Sequence, residues 1–382
     1  MIRVGFWDHV HALDLQDVIH YDSWSHLIVS AGSLPAGPAW QYPPGAALVM
    51  VVPRLALWFS SYGQAFVALM LLVDLAGLAL LIRFGRRTGN YTGVWVWLLA
   101  LPLLGSLPVL RFDLVPAVLT IAALVAIHRR PDWFGALVGL GAAIKVWPVV
   151  LLFGEWDRGR LARAIAAAAS VLAVVFVATW IGLGNPLGFL SAQGGRGLQE
   201  EAVATLPWDA WEVTSGEPTP RHVEYGSIQI DSGAARAAST ALELLSLAAL
   251  IAAAAWWLAR TRAIAAGRQE LASEDVSRDF LFALVLLLVI TSRVLSPQYM
   301  IWLLALAALV LSAERTRLAR PAWVVIGATV LTTSVFGSAE NGLIRNLALL
   351  VATVDASVAM VLLVRPRTSR SQPVSHRPST TP

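Results

Sequence analysis

Long apolar runs, interrupted at intervals by short arginine-bearing stretches, dominate the chain and set the elements it should form. Windows such as "FVALMLLVDLAGLALLI" carry enough apolar length to be membrane helices. Segments are predicted at about 45–58, 64–83, 93–110, 114–127, 133–152, 161–184, 237–259, 280–292, 298–313, 321–337 and 344–364. The polar interruptions fall into two kinds. Arginine-rich borders occur at "RFGRR" (83–87), "HRR" (128–130), "RGRLAR" (158–163), "RTRAIAAGR" (260–268), "ERTRLAR" (314–320) and from Arg365 onward. Basic residues favour the cytoplasmic side of membrane segments, so these ends are expected there. The remaining connections then face outward: 1–44, "SLPVLRFD" (106–113), the 52-residue loop 185–236, "SRVLSPQY" (292–299) and "GSAENG" (337–342).

Several segments depart from a plain crossing. The stretch 133–152 has cytoplasmic signals at both ends and Pro148 in its second half, which predicts a broken, re-entrant element with Lys145 near its tip. Segments 114–127 and 280–292 would each give about 20 Å of helix, short of a ~30 Å hydrocarbon core. Their outer ends, with Arg111, Asp113 and Arg293, are therefore expected below the outer surface, around a cavity. Arg54 interrupts 45–58, which favours an interfacial helix there. Residues 1–44 are expected outside, delivered either unaided or by a further helix upstream. The chain is thus expected to be an all-α, polytopic membrane protein with an outer loop 1–44, a multi-helix domain 45–364 and a disordered cytoplasmic tail 365–382. No internal repeat is evident.

Composition narrows the picture. The chain is 57% hydrophobic and only 14% charged, with a mean hydropathy of +0.67, which excludes an ordinary soluble domain. Its pI of about 9.8 comes from the arginine borders and not from a basic stripe with aromatics, so nucleic acid is not an expected partner. With no cysteine, disulfides and thiolate chemistry are excluded. Of 28 basic residues one is lysine, Lys145, and it lies inside an apolar run.

Five polar stretches gather on the inferred outer side: "DLQDVIHYDSW" (14–24), "QYPPG" (41–45), "LRFDLVP" (110–116), "IKVWP" (144–148) and "SRVLSPQY" (292–299). The chain resembles the family-87 glycosyltransferases, membrane mannosyltransferases of the GT-C superfamily that use a polyprenyl-phosphate sugar donor. The resemblance rests on Asp17 with Tyr21, then Tyr42-Pro43-Pro44, Arg111 with Asp113 and Pro116, Lys145 with Pro148, and Ser296 with Gln298 and Tyr299, in that order. It implies a GT-C-like helical bundle in the plasma membrane with its active site on the extracytoplasmic side. It also implies Asp17 as the catalytic base, a lipid-linked sugar donor in place of any cofactor, and a glycolipid or polysaccharide acceptor.

Glycosyl transfer from a lipid phosphate needs a base for the acceptor hydroxyl and positive charge on the departing phosphate. Asp17 is the candidate base, unless it is one of several solvated loop carboxylates. Lys145 and Arg293 are candidates for the phosphate, since an unpaired cation at membrane depth costs about 2.5–3.5 kcal/mol and demands a partner. Alternatively, Lys145 pairs structurally with a membrane acid such as Asp74. Tyr21, Tyr42, Gln298 and Tyr299 would shape the substrate site. Arg111 and Asp113, two residues apart, could equally pair with each other. The histidine-rich N-terminal stretch has no ordered ligand spacing, so no metal is expected. A transporter or lipid flippase using Asp74, Lys145, Arg293 and Asp355 is the alternative function, and an inactive scaffold a third.

Overall fold

The computed structural model describes residues 3–37, 40–193, 196–224, 227–334 and 339–364. The expected tail 365–382 lies outside them. The chain is 75% helical, with one two-stranded hairpin as its only sheet among the described residues, so the fold is all-α. In chain order the helices are α1 (Arg3–Ala31), α2 (Ala46–Val51), α3 (Tyr62–Thr88), α4 (Thr92–Ala100), α5 (Leu107–Leu110), α6 (Leu114–Ala126), α7 (Pro131–Ile144) and α8 (Arg158–Leu183). They continue with α9 (Leu206–Ser215), α10 (Gly233–Ala265), α11 (Glu274–Ile290), α12 (Tyr299–Leu311), α13 (Ala319–Ser334) and α14 (Ala339–Val364). Strands β1 (Arg221–Glu224) and β2 (Ser227–Ile230) pair antiparallel within the 185–236 connection.

Among the described residues, four helices are long and apolar enough to cross a membrane: Tyr62–Thr88, Arg158–Leu183, Gly233–Ala265 and Gly342–Met360. Around them pack shorter apolar helices, and α12 is the centre. Every residue from Met300 to Leu311 is buried, against α4, α6, α11 and α13, as expected of a helix that is apolar all round. By contrast α10 touches the bundle mainly along α11. The segment expected at 280–292 begins earlier, at Glu274, and its 17 residues span about 25 Å. Helix α6 keeps 13 residues, about 20 Å, so both remain shorter than the hydrocarbon core.

Residues 3–31, expected as a connecting loop, form the single helix α1. Val18, Tyr21, Ser25 and Ile28 are buried at helical spacing, and this stripe packs on α2, α3 and α5.

The broken element is present. Helix α7 stops at Ile144, Lys145 is extended, and a 3-10 helix (Trp147–Gly154) runs back along α7. The two ends of this hairpin meet where the His128 ring contacts the Gly154 carbonyl, Nε2 to O 3.1 Å. The hairpin therefore enters and leaves on one side of the bundle, with Lys145 at its tip. It is clamped by α8, which approaches closely because Gly135 and Gly139 face Ala164 and Ala168; a Cβ on Gly139 would sit 2.6 Å from the Ala168 carbonyl oxygen.

Five arginine borders converge at the end of the bundle opposite that tip. Glu274 receives Arg129 at 2.6 Å, Arg278 at 2.6 Å and Arg87 at 3.5 Å. Asp275 accepts from the Arg315 amide and Asp279 from the Arg317 amide. Arg160 pairs with Glu155 at 3.1 Å, and Arg260 lies over the Trp156 ring. The charge pattern thus sorts the bundle into an arginine-rich end and a distant end bearing Lys145.

Candidate active site

Four short turns assemble the distant end. Arg111 ends α5 in extended conformation and Asp113 begins α6, so the two side chains leave the turn in different directions. The Gly45 amide donates to the Ala143 carbonyl at 2.8 Å, which docks the Tyr42-Pro43-Pro44 turn against the hairpin tip. A Cβ on Gly45 would meet that carbonyl oxygen at 2.6 Å, so glycine is what lets the turn approach. Gln298 and Tyr299 open α12, while Asp17 and Tyr21 project one turn apart from α1.

The ion pairs are not the ones that neighbourhood in sequence suggests. Arg111 and Asp113 do not bind each other: Arg111 contacts Asp17, and Asp113, 1% exposed, accepts from the Lys145 ammonium at 3.1 Å. Nor does Lys145 use Asp74, which takes the Trp97 indole N–H at 2.6 Å. Asp355 faces Arg320 at 3.4 Å. The lone lysine is also ringed by aromatics, with Nζ 5.1 Å from Tyr42, 5.2 Å from Phe112, 5.5 Å from Trp302 and 5.7 Å from Tyr299. Such faces stabilise an ammonium as it loses water. Tyr21 stands behind them, against Phe66 and Phe112. Burial pushes the Tyr42 phenol well up, Asp113 adds to this and Arg196 partly opposes it, so Tyr42 stays a neutral donor.

Lys145, Tyr42, Gln298 and Tyr299 line a cavity of about 500 Å³ together with Arg196 and Ser296. The rest of its lining is mostly apolar, from the 3-10 segment, α11 and the stacked rings of Tyr299, Trp302 and Trp147. Asp17 and Tyr21 do not line it. They stand behind the Arg111–Asp113 turn, and the Asp17 side chain is 24% exposed. Arg293 lies in an adjoining chamber that shares Arg196, Ser292 and Tyr299 with the first, and it pairs with Glu243 at 2.7 Å. Arg196 is absent from the sequence-based set. It sits in "GGRG" of the 185–236 connection, where no periodicity or membrane depth marks an arginine as special.

The 185–236 connection packs over this region and is tied down on α14. Arg345 is 2% exposed and donates to the Glu201 carbonyl at 2.6 Å. Asn346 donates to the Ala202 carbonyl at 3.3 Å and to Asp209 at 3.4 Å, and Thr205 donates to Asp209 at 2.9 Å. Burial raises the Glu201 carboxyl to about 7, with Glu200 adding and Arg345 opposing, and raises Asp209 to about 6. Both values lie above those of an unfolded chain, so their stabilising effect is full below pH 4 and is lost as pH rises through 6 to 7. In detergent the thermal midpoint is expected to drop by about 2–4 °C between pH 5 and pH 8. The double variant Glu201→Gln/Asp209→Asn should flatten that slope; a wild-type slope in the variant would show that other groups cause it.

Residues 40–211 match the family model described as glycosyltransferase family 87. The matched span holds Tyr42, Arg111, Asp113, Lys145 and Arg196, while Asp17, Tyr21, Arg293, Gln298 and Tyr299 fall outside it. No curated protein matches the chain.

Proposed function

We propose that this chain, whose residues 40–211 match the glycosyltransferase family 87 model, is a membrane glycosyltransferase that moves mannose from a polyprenyl-phosphate donor to an envelope glycan or glycolipid, with inversion. The donor's phosphate lies beside Lys145 and Arg196, and its lipid chain follows the apolar part of the lining. The acceptor hydroxyl oxygen attacks the anomeric carbon, and the bond from that carbon to the phosphate oxygen breaks with its electron pair leaving on phosphate. Asp17 takes the hydroxyl proton.

One observation carries this reading: a cavity lined both by a ring-enclosed ammonium and a guanidinium and by apolar side chains of the 3-10 segment and α11. Cationic groups held in place before the reaction stabilise the charge that grows on the leaving phosphate. The apolar part of the lining suits a lipid tail. The arginine-rich end at the opposite pole supports a plasma-membrane orientation in which the cavity faces outward.

The test uses membranes containing the full chain, radiolabelled polyprenyl-phosphate-mannose and a crude glycolipid acceptor. Labelled glycolipid product is expected. Movement of labelled lipid between leaflets without new product would overturn the proposal in favour of a flippase. Product formed only from a pentose donor would replace mannose.

A further inference from the structure

The second chamber beside the main cavity, about 440 Å³ in volume, is built around a charge pair that the transfer reaction does not use. Arg293 reaches across it to Glu243 of α10 at 2.7 Å. The two partners are held very differently. The Arg293 backbone is pinned from several sides: its carbonyl accepts from the Gln199 amide at 3.0 Å, Ser246 donates to the Thr291 carbonyl at 2.8 Å, and Ser292 donates to the Val294 carbonyl at 2.7 Å. The Arg293 side chain is 17% exposed, whereas that of Glu243 is 51% exposed, on a helix that packs little elsewhere. A half-enclosed guanidinium on a pinned backbone thus faces a half-exposed carboxylate, and Arg196 lines the same chamber.

We propose that this chamber is a site for a lipid-borne phosphate monoester, and that Glu243 occupies Arg293 as a displaceable stand-in for that phosphate. The idea rests on the polyprenyl-phosphate reading given above. A donor phosphodiester carries one negative charge, and the departing monoester carries up to two. The added charge is what lets the product outcompete a carboxylate for Arg293, since charge-assisted bidentate pairing of guanidinium with phosphate is strong. Glu243 then limits how tightly the product is kept, because its return to Arg293 helps expel the spent lipid. It is a positioning residue that acts through Arg293.

The experiment measures binding of undecaprenyl phosphate and of phosphatidylglycerol, a phosphodiester lipid, to the purified full chain. Wild type, Glu243→Gln, Glu243→Asp and Glu243→Gln/Arg293→Gln are compared. Glu243→Gln is expected to bind undecaprenyl phosphate about tenfold tighter, with less than threefold change for phosphatidylglycerol. Glu243→Asp should resemble wild type, and the double variant should lose the gain. In turnover, Glu243→Gln should lower both KM and kcat and deepen inhibition by undecaprenyl phosphate. Unchanged monoester binding in Glu243→Gln, or equal tightening for both lipids, would overturn the proposal. If the tightening occurs but no polyprenyl-phosphate sugar serves as donor, the anion site stands and the donor assignment falls. If transfer proceeds with unaltered binding and inhibition, the reverse holds.

Discussion

Asp17→Asn is expected to cut the proposed glycosyl transfer by roughly 10²- to 10⁴-fold, the range for loss of a general base. The replacement keeps the size of the side chain and an oxygen for Arg111, so the Arg111–Asp17 contact survives in neutral form. What disappears is the group proposed above to take the acceptor proton. Asparagine should therefore lower kcat and leave the KM for donor within a few fold, because the proposed phosphate site is elsewhere, at Lys145 and Arg196. Asp17 is partly exposed, and breaking one such pair costs about 1 kcal/mol or less, so the thermal midpoint should hardly move. Activity of Asp17→Asn within threefold of wild type would remove Asp17 from the chemistry and leave it only the task of holding Arg111.

The second large effect concerns Asp113 and Lys145, and it is one of stability first. Asp113 is 1% exposed and its partner ammonium is enclosed by four rings. Asp113→Ala leaves that ammonium without its carboxylate in an interior of low dielectric, which costs about 3–5 kcal/mol. The variant should be expressed poorly and should melt well below wild type. Removing the charge together with its partner, in Asp113→Ala/Lys145→Met, should recover most of the loss, because replacing a buried pair by apolar groups is often close to neutral. Transfer should stay absent in the double variant. Recovery of stability with recovery of activity would mean that Lys145 serves the fold alone. Failure of the double variant to regain stability would mean that Asp113 supports the start of α6 independently of the lysine.

Much of the helical frame could be read directly from the apolar runs and their arginine borders, since each run must satisfy its backbone internally. The hairpin at Lys145 was also visible, because Pro148 and two basic borders leave little else for 133–152 to do. Helix α1 was hidden for a physical reason. Its buried stripe includes Ser25 and Tyr21, and its exposed positions mix His20 and His26 with Ile19, Leu27 and Val29, so no clean apolar face marks a helix. The pairings were hidden too. Asp17 and Arg111, or Asp113 and Lys145, come from different helices, and no local pattern reports which acid a buried cation selects. Arg196 is the clearest omission. Its importance arises only because the 185–236 connection folds down over the cavity, a tertiary event with no trace in its glycine-rich neighbourhood.

The contact between His128 and Gly154 has a further implication. With both feet of the hairpin fastened at one pole, the height and facing of the ammonium at the other are dictated by the number of residues between them. Deleting or inserting a single residue in α7 would shift the tip by about 1.5 Å and swing it by about 100° around the helix axis. Such a change would turn Lys145 out of its ring of aromatics, whereas a similar change in a surface connection is absorbed by slack. Length is therefore the guarded property of this segment, and many of its individual side chains can be exchanged.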